Sequence, residues 1–216
     1  MISFALTEDQ TLAQAAAAQF AADEARPAAR AAQEKQEFPE MLLRRAWQQG
    51  LGQTAASGEL VDQSTVLNAL ALEEVGYGNS AVAMTLAGAL GFVSALAGQG
   101  TSTQRERHLP PFQSDTPAFA AVAVVDAGWF RGAGRAMLIP LAARCDRLLV
   151  TAETGEGVGG FMSTRSLTGF ASNPQEARWD CARFGWLTSF LTASKSRMTT
   201  GWRAQSGVSS TPAASR

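Results

Sequence analysis

The sequence predicts an α+β protein: an N-terminal all-α helical bundle, a partial small antiparallel β-domain and a largely irregular C-terminal tail. Alanine-rich segments with helix-capping residues fill the first half of the chain. After Pro110-Pro111, alanine and valine runs alternate with glycine-rich turns, and beyond Met162 no helical or strand periodicity persists. We therefore expect a helical domain over 1–113, a partial β-domain over 114–161 and the tail over 162–216.

The composition excludes several classes of protein. The 216 residues are 46% hydrophobic and 17% charged, as in a globular protein, and the net charge of -1 argues against a nucleic-acid partner. Cys145 and Cys181 match no metal spacing and are too few for a disulfide framework, so we expect no metal and a reducing, cytoplasmic setting. The first ten residues carry acidic side chains without a basic stretch, which predicts neither a secretory signal nor a transit peptide.

Two helices are predicted from their end signals. Thr7 begins a capping box, and the alanine-rich helix that follows should run through Phe20 and be disturbed at Pro27. Pro39 opens the next helix, whose end Gly50 marks. In this second helix apolar residues recur at a spacing of three and four residues, so one face of the helix is apolar and needs a packing partner.

A third helix should follow a cap at Asp62 or Ser64, and a fourth covers the uncharged stretch Asn79–Gly98. This stretch is about as long as a membrane span, and a membrane-anchored protein remains an alternative interpretation. Its alanine, glycine, serine and threonine content favours close helix packing over lipid contact. We therefore expect a buried helix at the centre of the bundle and no membrane span.

Thr101 or Ser102 should cap a short surface helix, QRERHL, which Pro110-Pro111 ends. His108, the only histidine, lies on this helix, and we expect a packing or solvent role for it rather than catalysis. The segments AFAAVAVVDAGW and RCDRLLVTAET are then predicted to be strands. The glycines of GEGVGG lack the lysine and hydroxyl residue of a phosphate loop, which indicates a turn between strands.

Four motifs follow the capped helix at Thr7 in this order: FPEMLLRRAWQQGLG, ALEEVGYGNSAVAM, GTSTQRERHLPPFQS and AFAAVAVVD. Over roughly residues 2–160 this pattern resembles the acyl-CoA dehydrogenase family, and the element from Gly100 to Phe112 is its most specific part. The resemblance implies an oligomeric flavoenzyme of fatty acid metabolism that binds FAD and dehydrogenates acyl-CoA thioesters between the α and β carbons.

The resemblance also implies site residues. Val125 and Asp126 stand at the positions of the family's first flavin contacts, and Met84, Thr85 and Gly88 would line the acyl pocket unless they simply pack. The family's base lies in a C-terminal bundle, so no residue of this sequence is assigned as catalytic. The alternative is a non-catalytic relative that acts as an acyl-binding or dimer-partner helical module.

The sequence departs from the family where flavin contacts should begin. Val125 and Asp126 replace the usual Thr-Glu pair, and the Pro-Gly-x-Gly-Ser-Asp turn does not follow. A valine side chain cannot donate a hydrogen bond, whereas its backbone N–H can. The Pro-Glu-x-x-Gly-Gly loop and the Lys-x-(Trp/Phe)-Ile strand are also missing, which indicates a divergent member.

The tail Met162–Arg216 has two open explanations. It holds three of the five tryptophans but only two acidic residues, Glu176 and Asp180. Read one base out of frame, codons for FGWLTSFLTASKSRMTTGW permit the strand with which the family's β-domain ends, so the tail is either the product of a frameshift near Phe161 or a genuine polar extension.

Overall fold

The computed structural model describes residues 5–35, 37–51, 61–125, 134–139, 145–154, 157–164, 170–174, 187–191 and 199–203. The helical elements are α1 (Glu8–Phe20), a π-helical turn (Ala21–Ala25), α2 (Arg26–Lys35), α3 (Glu40–Gln48), α4 (Val61–Gly78), α5 (Ser80–Gln99), α6 (Ser102–His108) and a 3₁₀ turn (Pro110–Gln113). The strands are β1 (Ala120–Val125), β2 (Gly134–Ile139), β3 (Arg147–Thr154), β4 (Gly157–Thr164), β5 (Phe170–Pro174), β6 (Leu187–Leu191) and β7 (Thr199–Arg203). Helices precede strands, which confirms the α+β class.

The capping box predicted at Thr7 is present. The Thr7 hydroxyl oxygen accepts from the Gln10 backbone N–H at 3.2 Å, and the Gln10 side-chain oxygen accepts from the Thr7 N–H at 2.9 Å. The predicted disturbance near Pro27 takes the form of the π-helical turn, after which Pro27 is the second residue of α2. Because a proline ring clashes with the carbonyl of the fourth residue before it, a wider turn at that point lets the helix continue.

The cap predicted for α4 is wrong, since α4 already includes Asp62 and Ser64. The cap of α5 is Asn79, whose side-chain oxygen accepts hydrogen bonds from the backbone N–H groups of Ala81 and Val82. These bonds satisfy two of the donors that every helix start leaves free. A polar residue before a helix therefore acts as a cap only where the backbone turns into the helix at that residue.

Helix α5 is the centre of the core, as predicted. Ten of its residues are buried, and they pack with Phe20, Leu43, Trp47 and Val75 of the other helices. Among the described residues α5 is also the one helix long and apolar enough to cross a membrane, but 56% of its apolar window is buried inside the protein. A core helix passes the same length and composition test, so this burial favours the predicted core helix.

Two sheets follow the helices, with strand orders β1-β3-β4-β7 and β2-β6-β5. Strands β3 and β4 form an antiparallel hairpin, whereas β1 and β3 are parallel. The turn predicted over GEGVGG is too long, because β4 already begins at Gly157. The β-region is therefore mixed, not purely antiparallel as predicted. A parallel pair needs a crossover connection, and the chain supplies one by passing through β2 in the other sheet before β3 begins.

The tail is more regular than predicted, because β5, β6 and β7 lie within it. Strand β4 also crosses the expected boundary after residue 161, and Met162 is buried in the core. Backbone N–H and C=O groups pair in a ladder whatever the side chains are, so a segment without amphipathic periodicity can still add strands to a sheet.

Candidate functional site

The candidate site lies where α5 crosses β1. A Cβ atom at Gly88 would lie 2.7 Å from the carbonyl oxygen of Ala120, and one at Gly91 would lie 3.5 Å from a methyl group of Val122. The α5 backbone therefore approaches the β1 backbone most closely at Gly88. This close approach requires a residue without a side chain.

The three predicted pocket residues differ in what they can offer a ligand. Met84 is 39% exposed and stands one turn before Gly88 on the same side of α5. Thr85 is buried, and its hydroxyl donates to the carbonyl oxygen of Ala81 at 2.8 Å. The space beside Gly88 is filled by the β1 backbone. Met84 is thus the member of the trio whose side chain reaches solvent, and the pocket role of all three stays a prediction.

Of the two predicted flavin contacts, Val125 lies at the other end of β1. Val125 is the last residue of this strand and pairs through the backbone with Ala152, while Asp126 lies outside the described residues. Five residues separate Ala120 from Val125, a distance of about 16 Å at roughly 3.3 Å per strand residue. Gly88 of the predicted acyl pocket therefore packs against the start of β1, whereas Val125 lies at its end.

The sheet face under α5 is covered at one end and open at the other. Its side chains alternate along each strand, so the register places three rows on this face. The rows are Ala120 with Arg147, Val122 with Leu149 and Met162, and Val124 with Thr151 and Gly160. The helical core covers Ala120, Leu149 and Met162, whereas Val124 is 75% exposed.

We call the third row, Val124, Thr151 and Gly160, the open row. Along this row Val124 is exposed, Thr151 is half-buried, and Gly160, which has no side chain, is buried. The Thr151 hydroxyl donates to the Ala123 carbonyl oxygen over 3.5 Å, a distance at the limit for a hydrogen bond. The exposed end of this row therefore places one apolar side chain, Val124, beside the threonine hydroxyl of Thr151.

The open row could not be found from the sequence. Val124 and Thr151 are 27 positions apart in the chain, and only the parallel register of β1 and β3 makes them neighbours. The sequence does predict both strands, and the side chains of each strand alternate between its two faces. Strand periodicity does not tell which residues of two strands face each other.

His108 is buried although the helix that carries it was expected on the surface. Only 4% of the residue is exposed, and Gln104, one turn earlier on α6, is buried too. Burial lowers the pKa of His108 below its ordinary value of 6.5, and the charges of Arg147 and Arg107 lower it further. The burial of His108 agrees with its predicted packing role. It also shows that one side of α6 is buried, whereas the sequence predicts a surface helix.

The carboxylate pair Glu73 and Glu74 is not a working acid–base pair. Glu73 is exposed, and Glu74 accepts a hydrogen bond from the Gln14 amide nitrogen at 3.0 Å. Adjacent helix residues point about 100° apart, so the two carboxylates cannot act on one substrate atom. Within the described ranges, His, Cys, Asp and Glu side chains form no group of three that could hold a metal ion.

The family model for the acyl-CoA dehydrogenase N-terminal domain matches residues 7–116. These residues comprise the whole helical part from the Thr7 cap to the segment before β1. No curated protein sequence matches the chain.

Solved structures share the fold. Butyryl-CoA dehydrogenase from Megasphaera elsdenii superposes with a TM-score of 0.66 at 17% identity, over 89% of this chain and 57% of its own. A glutaryl-coenzyme A dehydrogenase bound to glutaryl-CoA gives 0.69 at 17% identity, over 91% and 57%. An FAD complex of an acyl-CoA dehydrogenase from Bacillus anthracis gives 0.65 at 17% identity, over 92% and 39%. The chain thus spans less than two thirds of the length of these structures.

Proposed function

Because the chain belongs to the acyl-CoA dehydrogenase family, we propose that it supplies the helical domain and part of the flavin-facing sheet of an FAD-dependent acyl-CoA dehydrogenase. The reaction removes a proton from the α carbon and a hydride from the β carbon of an acyl-CoA thioester, which leaves a double bond between them. FAD, when bound, accepts the hydride. The observation that carries the proposal is the α5–β1 crossing, with Met84 exposed on the helix and the open row on the sheet.

The acyl chain is the ligand proposed for the helical side. Met84 presents a flexible apolar side chain near the crossing, and such a side chain can adapt to an alkyl chain. Thr85 supports this position from inside, since its hydroxyl is held by its own helix. Gly88 keeps α5 against β1, and so sets how far Met84 stands from the sheet.

The flavin ring is the ligand proposed for the open row. Val124 would contact the ring face, and the Thr151 hydroxyl would bond to an edge atom in place of the long bond to Ala123. The backbone N–H of Val125 would take over a contact that the family makes with a threonine side chain. We assign no catalytic base within the chain. Homo-oligomerisation and a cytoplasmic location belong to the same proposal.

FAD binding tests this assignment. The purified chain should show the visible absorbance band of a flavin, or its Tm should rise when FAD is added to apoprotein. Val124→Asp should abolish the rise, because a carboxylate against the ring face loses apolar contact and is desolvated. Leu12→Asp is the matched control, since Leu12 is 70% exposed on α1, far along the chain from β1.

Two results would overturn the assignment. One is a colourless protein whose Tm FAD does not change, and the other is equal FAD binding by Val124→Asp and the parent chain. Acyl-CoA thioesters of increasing chain length, added to the FAD-loaded protein, then test the substrate class through their own Tm shifts.

The second candidate function is a non-catalytic acyl-binding or dimer-partner helical module. Close packing at Gly88, where a Cβ would lie 2.7 Å from the carbonyl oxygen of Ala120, favours its dimer-partner form, because little room is left for a ligand between helix and strand. This candidate requires that acyl-CoA or a second copy stabilise the protein in the absence of FAD. Tm measurements with acyl-CoA alone, and light scattering over a range of protein concentrations, distinguish it from the flavoenzyme.

A further inference from the structure

The helical part meets the sheet at a second contact, between the 3₁₀ turn that follows α6 and the start of β3. His108, the last residue of α6, is buried there. Arg147, the first residue of β3, is partly buried, with its guanidinium carbon 5.9 Å from the ring centroid of the buried Phe112. We call the pair His108 and Arg147 the α6–β3 junction.

The junction holds a positive charge, that of Arg147, in a partly buried position. The Nε atom of Arg147 is buried and has no hydrogen-bond partner among the described residues. A guanidinium group stays protonated at any pH that a protein tolerates, so this charge is permanent. Its guanidinium lies near the ring of Phe112, and an aromatic ring attracts a cation only weakly compared with a carboxylate.

The charges that lower the pKa of His108 are both cationic, and the neighbouring acidic residues Glu106 and Asp146 are exposed. Arg107 precedes it on α6 and acts on it electrostatically, as Arg147 does from β3. Arg105, one turn earlier, directs its guanidinium to the carbonyl oxygen of Ala97 at 3.1 Å. Helix α5, which packs against α6, contains no charged residue. A proton on His108 would therefore meet like charges and apolar surroundings.

We propose that the α6–β3 junction is a pH-sensitive contact, which joins the helical part to the sheet while His108 is neutral and loosens when His108 takes up a proton. The driving force is the burial of a second positive charge beside Arg147. Strand β3 also carries Thr151 of the open row, so the junction and the open row share one strand.

The direction of the pH effect follows from linkage. The pKa of His108 is lowered in the folded protein by burial and then by Arg147 and Arg107. As pH falls below 6.5, the unfolded chain takes up a proton that the folded protein still excludes. Stability therefore decreases on acidification through this window, and the decrease ends once the folded His108 is protonated.

The chain suits a direct test because it contains one histidine. Its imidazole resonances can be followed by NMR from about pH 8 to about pH 5 without overlap, and carboxylates titrate below most of that range. We expect His108 to titrate below 6.5 in the parent chain and closer to 6.5 in Arg147→Met, which keeps the apolar packing and removes the charge. A His108 pKa at or above 6.5, or one unchanged in Arg147→Met, would overturn the proposal.

Hydrogen exchange tests the structural consequence. Between about pH 7.5 and about pH 5, the exchange of peptides from α6 and β3, corrected for intrinsic rates, should accelerate more than that of α3. His108→Gln, which stays neutral, should abolish this difference. On acidification its Tm should fall by less than that of the parent, with a difference of at least about 2 °C. If His108→Gln does not fold, Arg147→Met should give the same reduced pH dependence. Equal acceleration in α3 and at the junction, or an undiminished response in a folded variant, would refute the proposal.

Discussion

The indole nitrogen of Trp47 donates a hydrogen bond of 2.8 Å to the carbonyl oxygen of Ser114, which lies 67 residues later in the chain. Trp47 is buried on α3, and its ring lies 6.4 Å from that of Phe112, which in turn stacks on Phe92 of α5 at 5.4 Å. The segment that leads from the helices to β1 is therefore attached to the helical core by both a hydrogen bond and ring packing.

Trp47→Phe should lower the free energy of unfolding by about 1–3 kcal/mol, because it deletes the bond to Ser114 and leaves part of the indole volume empty. Urea denaturation followed by circular dichroism measures the change. Ser114→Ala is the control, since it keeps the accepting carbonyl and removes an exposed hydroxyl that bonds to Pro111 and Thr116. A loss in Ser114→Ala as large as in Trp47→Phe would contradict this account.

Gly88→Ala should destabilise the protein by about 1–3 kcal/mol, because its Cβ would press on the β1 backbone at Ala120. Gly91→Ala is the matched control on the same helix. Its Cβ would make ordinary contact with Val122, and the higher helix propensity of alanine should leave stability unchanged or raise it by up to about 1 kcal/mol. Thermal unfolding compares the two, and similar Tm values would mean that α5 does not approach β1 closely at Gly88.

Gly78→Ala should lower Tm, because a Cβ there would lie 2.8 Å from the Cβ of Ala25 and 2.9 Å from the carbonyl oxygen of Ala21. The π-helical turn would have to move away from α4, at a cost of about 1–3 kcal/mol. Gly76→Ala, also on α4, meets only the Cβ of Ala83 at 3.6 Å and should be tolerated. The prediction fails if both variants unfold at the temperature of the parent.

Thr101→Ala should cost about 0.5–2 kcal/mol, because the Thr101 hydroxyl oxygen caps α6 by accepting from the Gln104 N–H. The loss should be accompanied by faster hydrogen exchange in α6, which has only seven residues. Ser102→Ala removes a neighbouring exposed hydroxyl that is not the cap and should have little effect. Equal exchange rates in the two variants would show that the capping box does not hold α6.

Local chemistry explains what could be predicted. The hydroxyl caps at Thr7 and Thr101 and the end of α3 at Gly50, with its φ of 83°, depend on a few consecutive residues, so the sequence alone shows them. The motif from Gly100 to Phe112 also identified the family, because its spacing records a helix end, a short helix and a proline stop in order.

Long-range pairing explains what could not be predicted. The parallel register of β1 and β3 joins Val124 to Thr151, and no local signal states which residues of two strands face each other. The strands within the tail were missed for a related reason, since backbone pairing tolerates sequences without amphipathic periodicity. The cap assigned to Asp62 or Ser64 was wrong because a capping side chain does not by itself define where a helix starts.

The sequence by itself therefore determined the α+β class, the central apolar helix α5 and the family, since each depends on composition, periodicity or the order of short motifs. Tertiary structure alone decided that Gly88 contacts β1, that Val124 stays exposed and that His108 is buried beside Arg147. These features arise where distant segments meet, and the energies that place them come from burial, close packing and electrostatic interactions between residues far apart in the chain.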